Sequence, residues 1–224
     1  LSREAWQGVF RRLLEGVGDA APEHALYLQV TRGPGRRDHL FPEPVEPTVF
    51  VMCNPLGARP GAHGGVSAVT LPDRRWELCH IKAVTLLANV LARQEAADAG
   101  AAEALLVRDG RVLEGSSSNV FAVLGDTVVT PPKVPRMLAG ITRDLVLELL
   151  AAAGVAVRER DLGVAELAAA DEVWITSSTR EVVPVVRLDD APVGAGEPGP
   201  VWRRVAGLYR EHKARFVAEC AGRA

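Results

Sequence analysis

Residues 113–143 have the sequence LEGSSSNVFAVLGDTVVTPPKVPRMLAGITR, and this stretch decides the fold. Its apolar and β-branched segments predict two strands, Asn119–Leu124 and Thr127–Thr130, joined by a Gly-Asp turn. A run of serines follows Glu114, and Gly140 precedes the start of a predicted helix. The stretch therefore combines a hairpin with a carboxylate, a row of hydroxyls and a helix start.

Outward from this hairpin, strand-like alternation and helical apolar stripes recur along the chain. The predicted helices are Ser2–Val17, Ala83–Ala99, Thr142–Ala153 and Val201–Cys220. The other predicted strands are Ala25–Thr31, Thr48–Cys53, Val66–Leu71, Leu105–Arg108, Arg111–Leu113, Val155–Arg160, Glu172–Thr176 and Val182–Leu188. Hairpins mixed with helices indicate an α+β fold with a largely antiparallel or mixed sheet.

The part of the chain richest in glycine and proline, residues 54–65, predicts a linker, which we place at residues 57–65. We therefore expect a small N-terminal α/β domain over residues 1–56 and a large C-terminal mixed-sheet domain over residues 66–224. The sequence starts directly in a helix with Leu1 instead of Met, so we expect the small domain to lack its natural start.

Composition excludes several classes of protein. Hydrophobic residues make up 48% of the chain, yet no apolar run is long enough to span a bilayer. The net charge of −2 and the 5% of aromatic residues give neither a basic field nor a stacking surface for nucleic acid. Cys53, Cys79 and Cys220 are too few and too widely spaced for a disulfide framework or a metal site. A reducing, cytoplasmic setting fits this composition.

Lys82 is the first candidate for chemistry. It is one of only two lysines before Pro200, the other being Lys133, because arginine supplies most of the basic surface. Ile81, Ala83 and Val84 beside it are apolar. Apolar surroundings disfavour the charged form of a lysine and make its amine nucleophilic, although most lysines are simply solvated.

Three further groups each allow a functional and a structural interpretation. Glu114 beside its hydroxyl run suits a phosphorylated heteroaromatic cofactor, whose ring nitrogen a carboxylate keeps protonated, but the same residues suit a turn. Thr142, two residues after Gly140, suits either a phosphate site or an ordinary helix cap. The hydroxyls of residues 176–179 suit phosphate binding or the capping of a loop.

Taken together, these segments resemble the class IV (fold type IV) aminotransferases, which depend on pyridoxal 5'-phosphate. The family signature is matched in full by Glu114, Ser116, Asn119, Val120, Phe121, Val128, Thr130, Leu138, Gly140, Ile141 and Arg143. Lys82 lies upstream of this signature, where the family places its lysine. The surrounding sequence, RRWELCHIKAVTLLANVLARQEA, is especially similar to the D-amino-acid aminotransferases.

The resemblance implies a role for each matching residue. Lys82 is implied to attach the cofactor and to move the substrate proton. Glu114 is implied to pair with the pyridine nitrogen, and Leu138 to pack against the ring. The implied phosphate ligands are Ile141, Thr142, Ser177 and Ser178.

In D-specific members an Arg-x-His pair from the neighbouring subunit traps the substrate carboxylate. Here the pair corresponds to Arg37 and His39, with Arg36 as a substitute for Arg37. A lone histidine in such a loop would more often be an ordinary surface residue. The spacing to Arg37 favours the carboxylate trap, and hence D-amino acids.

The resemblance implies transamination between a D-alanine-like amino acid and a 2-oxo acid such as 2-oxoglutarate, in a homodimer. Family members also carry a phosphate-binding arginine and an active-site tyrosine on earlier strands, and this sequence lacks both. A branched-chain L-amino-acid aminotransferase and a 4-amino-4-deoxychorismate lyase are the alternative enzymes. A degenerate binding protein of the same fold is the non-enzymatic alternative.

Overall fold

The computed structural model describes residues 1–18, 21–57 and 64–222, in two compact units. The first unit spans Leu1–Ala58 and the second spans Arg59–Ala224. Residues 58–63 of the predicted linker lie outside the described residues. Within the described residues, no helix is both long and apolar enough to cross a bilayer.

The first unit consists of helix α1 (Arg3–Val17) and the antiparallel strands β1 (His24–Thr31) and β2 (Thr48–Pro55). The helix begins where the Ser2 hydroxyl accepts a hydrogen bond from the Ala5 amide at 3.3 Å. Such a cap satisfies one of the amides that have no partner within a helix. All three elements are predicted from the sequence, and the structure confirms them.

The second unit is built on a mixed sheet that contains ten strands within residues 64–222. Its strands are β3 (Val66–Pro72), β4 (Glu103–Arg108), β5 (Arg111–Gly115), β6 (Asn119–Leu124), β7 (Thr127–Thr130), β8 (Val157–Glu159), β9 (Leu162–Gly163), β10 (Glu172–Ser177), β11 (Glu181–Leu188) and β12 (Ala191–Pro192). Its helices are α2 (Leu87–Asp98), α3 (Ile141–Ala152), α4 (Val164–Ala168) and α5 (Pro200–Ala221).

The strand order is β8-β7-β6-β10-β11-β3-β4-β5-β9, with β12 paired to β11. Three neighbouring pairs are parallel, namely β11–β3, β3–β4 and β7–β8, and the other described pairs are antiparallel. The turn between β4 and β5 has positive φ angles of 53° at Asp109 and 73° at Gly110. These angles are the primed turn geometry that an Asp-Gly pair favours, so the predicted α+β fold and its hairpin are confirmed.

The core explains why β6 has an almost unbroken apolar sequence. Val120 and Ala122 are buried on one face of the sheet, among residues of β3, β10 and β11. Phe121 and Val123 are buried in a second cluster with residues of α3 and α5. Phe121 stacks on Trp174 of β10 with 5.5 Å between ring centroids. A central strand covered on both faces needs apolar residues at every position, not at every second one.

The structure differs from the sequence prediction near Lys82. Helix α2 begins at Leu87, not at Ala83, and residues 80–86 are irregular. The His80 amide donates to the Pro135 carbonyl at 3.0 Å, which holds the chain in a long-range contact before the helix starts. The prediction also missed β9, α4 and β12, which are too short to produce a periodic pattern.

Candidate active site

A cleft of about 850 Å³ opens in the second unit, beside the serine run after β5. Its walls come from the segment of residues 75–86, one side of α2, residues 114–119, the start of α3 with the residues before it, and the end of β10. The cleft brings together all seven residues for which the sequence predicts cofactor contacts: Lys82, Glu114, Leu138, Ile141, Thr142, Ser177 and Ser178.

Lys82 lies on the irregular segment before α2 and is exposed. The other two lysines of the chain are engaged in ion pairs, Lys133 with Asp144 and Lys213 with Glu181, each at 2.9 Å. The apolar surroundings expected for Lys82 are not formed by the described residues. Its neighbours Ile81 and Val84 are themselves 48% and 62% exposed.

Glu114, at the end of β5, is buried in the floor of the cleft. Its carboxylate accepts a hydrogen bond from Nη1 of Arg75. The Leu138 amide donates to both carboxylate oxygens at 3.1 and 3.2 Å, and Nδ2 of Asn119 donates at 3.3 Å. Burial raises the pKa of the Glu114 carboxyl, and the charge and hydrogen bond of Arg75 oppose this rise without cancelling it.

The sequence prediction missed Arg75, which is held on three sides. Its Nε donates to Asp73 at 2.9 Å, and its Nη2 donates to the Arg136 carbonyl at 3.1 Å. Burial would lower the pKa of the Arg75 guanidinium, but its hydrogen bonds and charge pairs with Asp73 and Glu114 raise it above the ordinary value. Arg75 therefore remains a cation next to Glu114.

A second buried carboxylate, Glu103, lies behind the serine run and was also missed. It accepts hydrogen bonds from the hydroxyls of Ser116, Ser117 and Ser118 and from the guanidinium of Arg180. Burial would raise the pKa of Glu103, but these hydrogen bonds and the charge of Arg180 hold it below the ordinary value. The three serine hydroxyls therefore donate to a buried carboxylate of the protein itself.

The start of α3 forms another wall of the cleft. No side chain caps this helix, so the amides of its first turn have no capping partner. Asn119 holds the approach to the helix, because it accepts from the Gly140 amide at 3.2 Å and donates to the Leu138 carbonyl at 2.8 Å. Ile141 is exposed, whereas Thr142 is buried.

Hydroxyl groups at the end of β10 complete the cleft. The Ser177 hydroxyl accepts from the Arg180 amide at 3.4 Å, and Ser178 is exposed. Thr176, which the sequence prediction did not select, is almost fully buried, and its hydroxyl has no hydrogen-bond partner among the described residues. Buried hydroxyls are normally paired, so the missing partner distinguishes Thr176 from the other residues that line the cleft.

Arg37 and His39 lie in the first unit, in the connection between β1 and β2, and both are exposed. The His39 amide donates to the Asp38 carboxylate at 2.7 Å. Arg36, the predicted substitute for Arg37, is exposed as well.

Comparison with known proteins assigns the chain to a family. The family model for amino-transferase class IV matches residues 1–188. The chain belongs to the class IV aminotransferase family. The signature around Glu114 and the upstream Lys82, on which the resemblance rested, both lie within the matched residues of this class IV aminotransferase.

Individual class IV aminotransferases match most of the chain. It is 43% identical to the D-alanine aminotransferase of Bacillus licheniformis over 181 residues, which are 80% of this chain and 64% of that relative. It therefore spans less than two thirds of that relative's length. The fold IV transaminase CpuTA1 of Curtobacterium pusillum has a TM-score of 0.79 at 27% identity, covering 97% of this chain and 72% of that one. The holo form of the Thermobaculum terrenum branched-chain aminotransferase has a TM-score of 0.72 at 27% identity, covering 83% and 63%.

Proposed function

We propose that this class IV aminotransferase binds pyridoxal 5'-phosphate in the cleft and transfers an amino group between a D-alanine-like amino acid and a 2-oxo acid such as 2-oxoglutarate. One observation carries the proposal. Lys82, the buried carboxylate Glu114 and the uncapped start of α3 line the same cleft. The amine suits the aldehyde of the cofactor, the carboxylate suits its ring nitrogen, and the helix start suits its phosphate.

The donors around Glu114 fit a protonated ring nitrogen. An ionised carboxylate has about four acceptor positions. Arg75, Leu138 and Asn119 supply three donors, and the Leu138 amide is shared between both oxygens. The Glu114 carboxylate lines the cleft, where its negative charge favours a cationic ring nitrogen.

The phosphate group fits the start of α3. First-turn amides and the positive end of the helix dipole favour an anion at the start of α3. Ile141, Thr142, Ser177 and Ser178 line the cleft there, and the unpaired Thr176 hydroxyl adds a donor. The residues present therefore match the phosphate as well as the ring nitrogen.

Pyridoxal phosphate, when bound, supplies an aldehyde that condenses with amines and a ring that withdraws electrons from the substrate Cα. Lys82 holds the cofactor through its amine and, when free, moves a proton at the substrate Cα. Glu114 holds a proton on the ring nitrogen by its negative charge. Leu138 covers the ring with apolar surface and limits the access of water.

Arg37 and His39 are proposed to bind the substrate carboxylate, and the D-alanine aminotransferase relative supports the preference for D-amino acids. In the proposed arrangement these residues act on the cleft of a neighbouring subunit, so the enzyme is a homodimer. We further propose that it works in the cytoplasm on small molecules and uses neither a membrane nor nucleic acid. The net charge of −2 supports the last point.

A branched-chain L-amino-acid aminotransferase is the second candidate, because the Thermobaculum terrenum structure of that activity shares the fold. Substrate assays separate the two. We expect transfer from D-alanine to 2-oxoglutarate and little from L-leucine. Transfer from L-leucine alone would reject D-specificity, and pyruvate release from 4-amino-4-deoxychorismate without an acceptor would identify a lyase.

Cofactor attachment is tested on the protein reconstituted with pyridoxal phosphate. We expect visible absorbance from the bound cofactor, and borohydride reduction followed by mass spectrometry should find the cofactor on Lys82. The Lys82→Ala variant should lose both signals and the transaminase activity. Lys133→Ala is the matched control, because that lysine pairs with Asp144 outside the cleft. Full labelling in Lys82→Ala, or none in the unmodified protein, would reject the proposed function.

A further inference from the structure

We propose that Arg75 is a positioning residue that fixes the orientation and the negative charge of Glu114, and so keeps the ring nitrogen of the cofactor protonated. The inference rests on the proposed cofactor site. Arg75 acts through Glu114 and needs no contact with the reacting atoms. Four features of the structure support it.

The first feature is the rigidity of the pair. The side chains of Arg75 and Glu114 are each only 6% exposed. Nε of Arg75 donates to Asp73 and Nη2 donates to the Arg136 carbonyl, so the guanidinium plane is fixed from the side away from Glu114. With Nη1 pointing at Oε1, the carboxylate has one preferred orientation.

The second feature is the balance of charge around the pair. Asp73 would compete with Glu114 for Arg75, but it also receives Nη2 of Arg108 at 3.2 Å. Arg108 also pairs with the more exposed Glu77, so it links Asp73 to a second carboxylate. Because Arg108 shares the charge of Asp73, Arg75 can contact Asp73 and Glu114 at the same time.

The third feature is burial. A carboxyl out of water is pushed toward its neutral form unless a cation or hydrogen-bond donors hold the charged form. Burial is the largest influence on Glu114 and raises its pKa, and Arg75 is the main opposing influence. Without that cation the carboxyl would shift further toward the neutral acid, which cannot hold a proton on the ring nitrogen by its charge.

The fourth feature concerns the other groups around Glu114. The Leu138 amide and the Asn119 amide are neutral donors, and Asp73 is an anion that opposes ionisation. The Cys79 thiol is also close enough to interact, and burial raises its pKa, which favours the neutral form. Arg75 is therefore the cation in direct contact with Glu114 among the described residues.

The test measures the protonation of the ring nitrogen itself. The protein is reconstituted with pyridoxal phosphate labelled with nitrogen-15 in the ring, and the nitrogen resonance is followed over pH. We expect Arg75→Gln, which keeps polar donors but no charge, to lower the apparent pKa of the ring nitrogen by about 1–3 units. Arg75→Lys should recover part of this shift, because it restores the charge without the planar fork.

Arg74→Gln is the matched control. Arg74 is the adjacent arginine and forms an exposed pair with Glu95 at 3.2 Å, so its loss should not move the resonance. Glu114→Gln gives the reference titration for a ring nitrogen that has no carboxylate beside it. A role in folding alone would lower the melting temperature of Arg75→Gln but leave the nitrogen titration unchanged.

The outcomes are distinguishable. An unchanged ring-nitrogen titration in folded Arg75→Gln overturns the inference and leaves the proposed function intact. Failure of the unmodified protein to bind the cofactor rejects the proposed function instead. If Arg75→Gln does not fold, Arg75→Lys decides: a downward shift of the titration supports the inference, and a titration identical to that of the unmodified protein overturns it.

Discussion

Removal of Arg180 should destabilise the second unit in a pH-dependent way. Arg180→Met leaves Glu103 buried without its cation, and loss of one partner from a buried ion pair costs about 3–5 kcal/mol. Arg180 is 21% exposed, and three serine hydroxyls remain as donors to Glu103, so part of that cost is avoided. We expect a loss of about 2–3 kcal/mol in the free energy of unfolding near neutral pH.

The sign of the pH dependence follows from Glu103. In the native protein its pKa is held below the ordinary value, so its ionisation stabilises the fold above the unfolded pKa and this stability is lost as the pH falls through the folded pKa. Without Arg180 the pKa of Glu103 rises. The difference between variant and native protein should therefore be largest near neutral pH and shrink toward pH 5, as Glu103 takes up a proton in the variant.

Urea unfolding at both pH values measures this difference. Arg187→Met is the control, because Arg187 on β11 forms an exposed pair with Asp190 at 3.2 Å and should contribute less than about 0.5 kcal/mol. If Arg180→Met unfolds within about 0.5 kcal/mol of the native protein near neutral pH, the reasoning about the buried pair is wrong. A loss that stays constant down to pH 5 would instead refute the assigned role of Glu103 ionisation.

Two other substitutions test the cleft and the core. Thr176→Val removes the unpaired buried hydroxyl, so we expect unchanged or slightly higher stability but about 2–10-fold weaker binding of pyridoxal phosphate, measured by titration of its absorbance. Thr130→Val is its control, because the Thr130 hydroxyl donates to the Val120 carbonyl at 2.7 Å and its loss should lower stability instead. Trp174→Ala removes the fully buried ring that stacks on Phe121 and should cost about 3–5 kcal/mol in urea unfolding; a cost below about 1 kcal/mol would contradict the packing described for this core.

The sequence predicted well those elements whose residue pattern is continuous along the chain and depends on neighbouring residues alone. The hairpin of β6 and β7 follows from apolar runs around a Gly-Asp turn, and the β4–β5 turn follows from Asp109 and Gly110. The start of α2 was predicted four residues early, because the apolar stripe continues through Ala83 and Val84. That stripe is exposed, and a long-range backbone bond from His80 competes with helix formation there.

The site was predictable only in part, for a different reason. Glu114 and Lys82 belong to motifs with recognisable neighbours, and the structure places both at the cleft. Arg75 and Arg180 lie 39 and 77 residues from the carboxylates that they contact. In a chain rich in arginine, nothing in the local sequence distinguishes a buried guanidinium from a solvated one, since the difference arises only when distant strands meet.

The two buried arginines also affect what the cleft offers to a ligand. Glu103 and Glu114 each pair with a guanidinium, so neither presents a full unbalanced negative charge to the cleft. Lys82 has no anionic partner among the described contacts, and the N-cap of α3, Gly140, provides no side-chain hydrogen bond to its first-turn amides. The free amine and the helix start therefore favour an anionic ligand such as a phosphate ester, while the Glu114 carboxylate gives one point at which a cationic ring nitrogen is preferred.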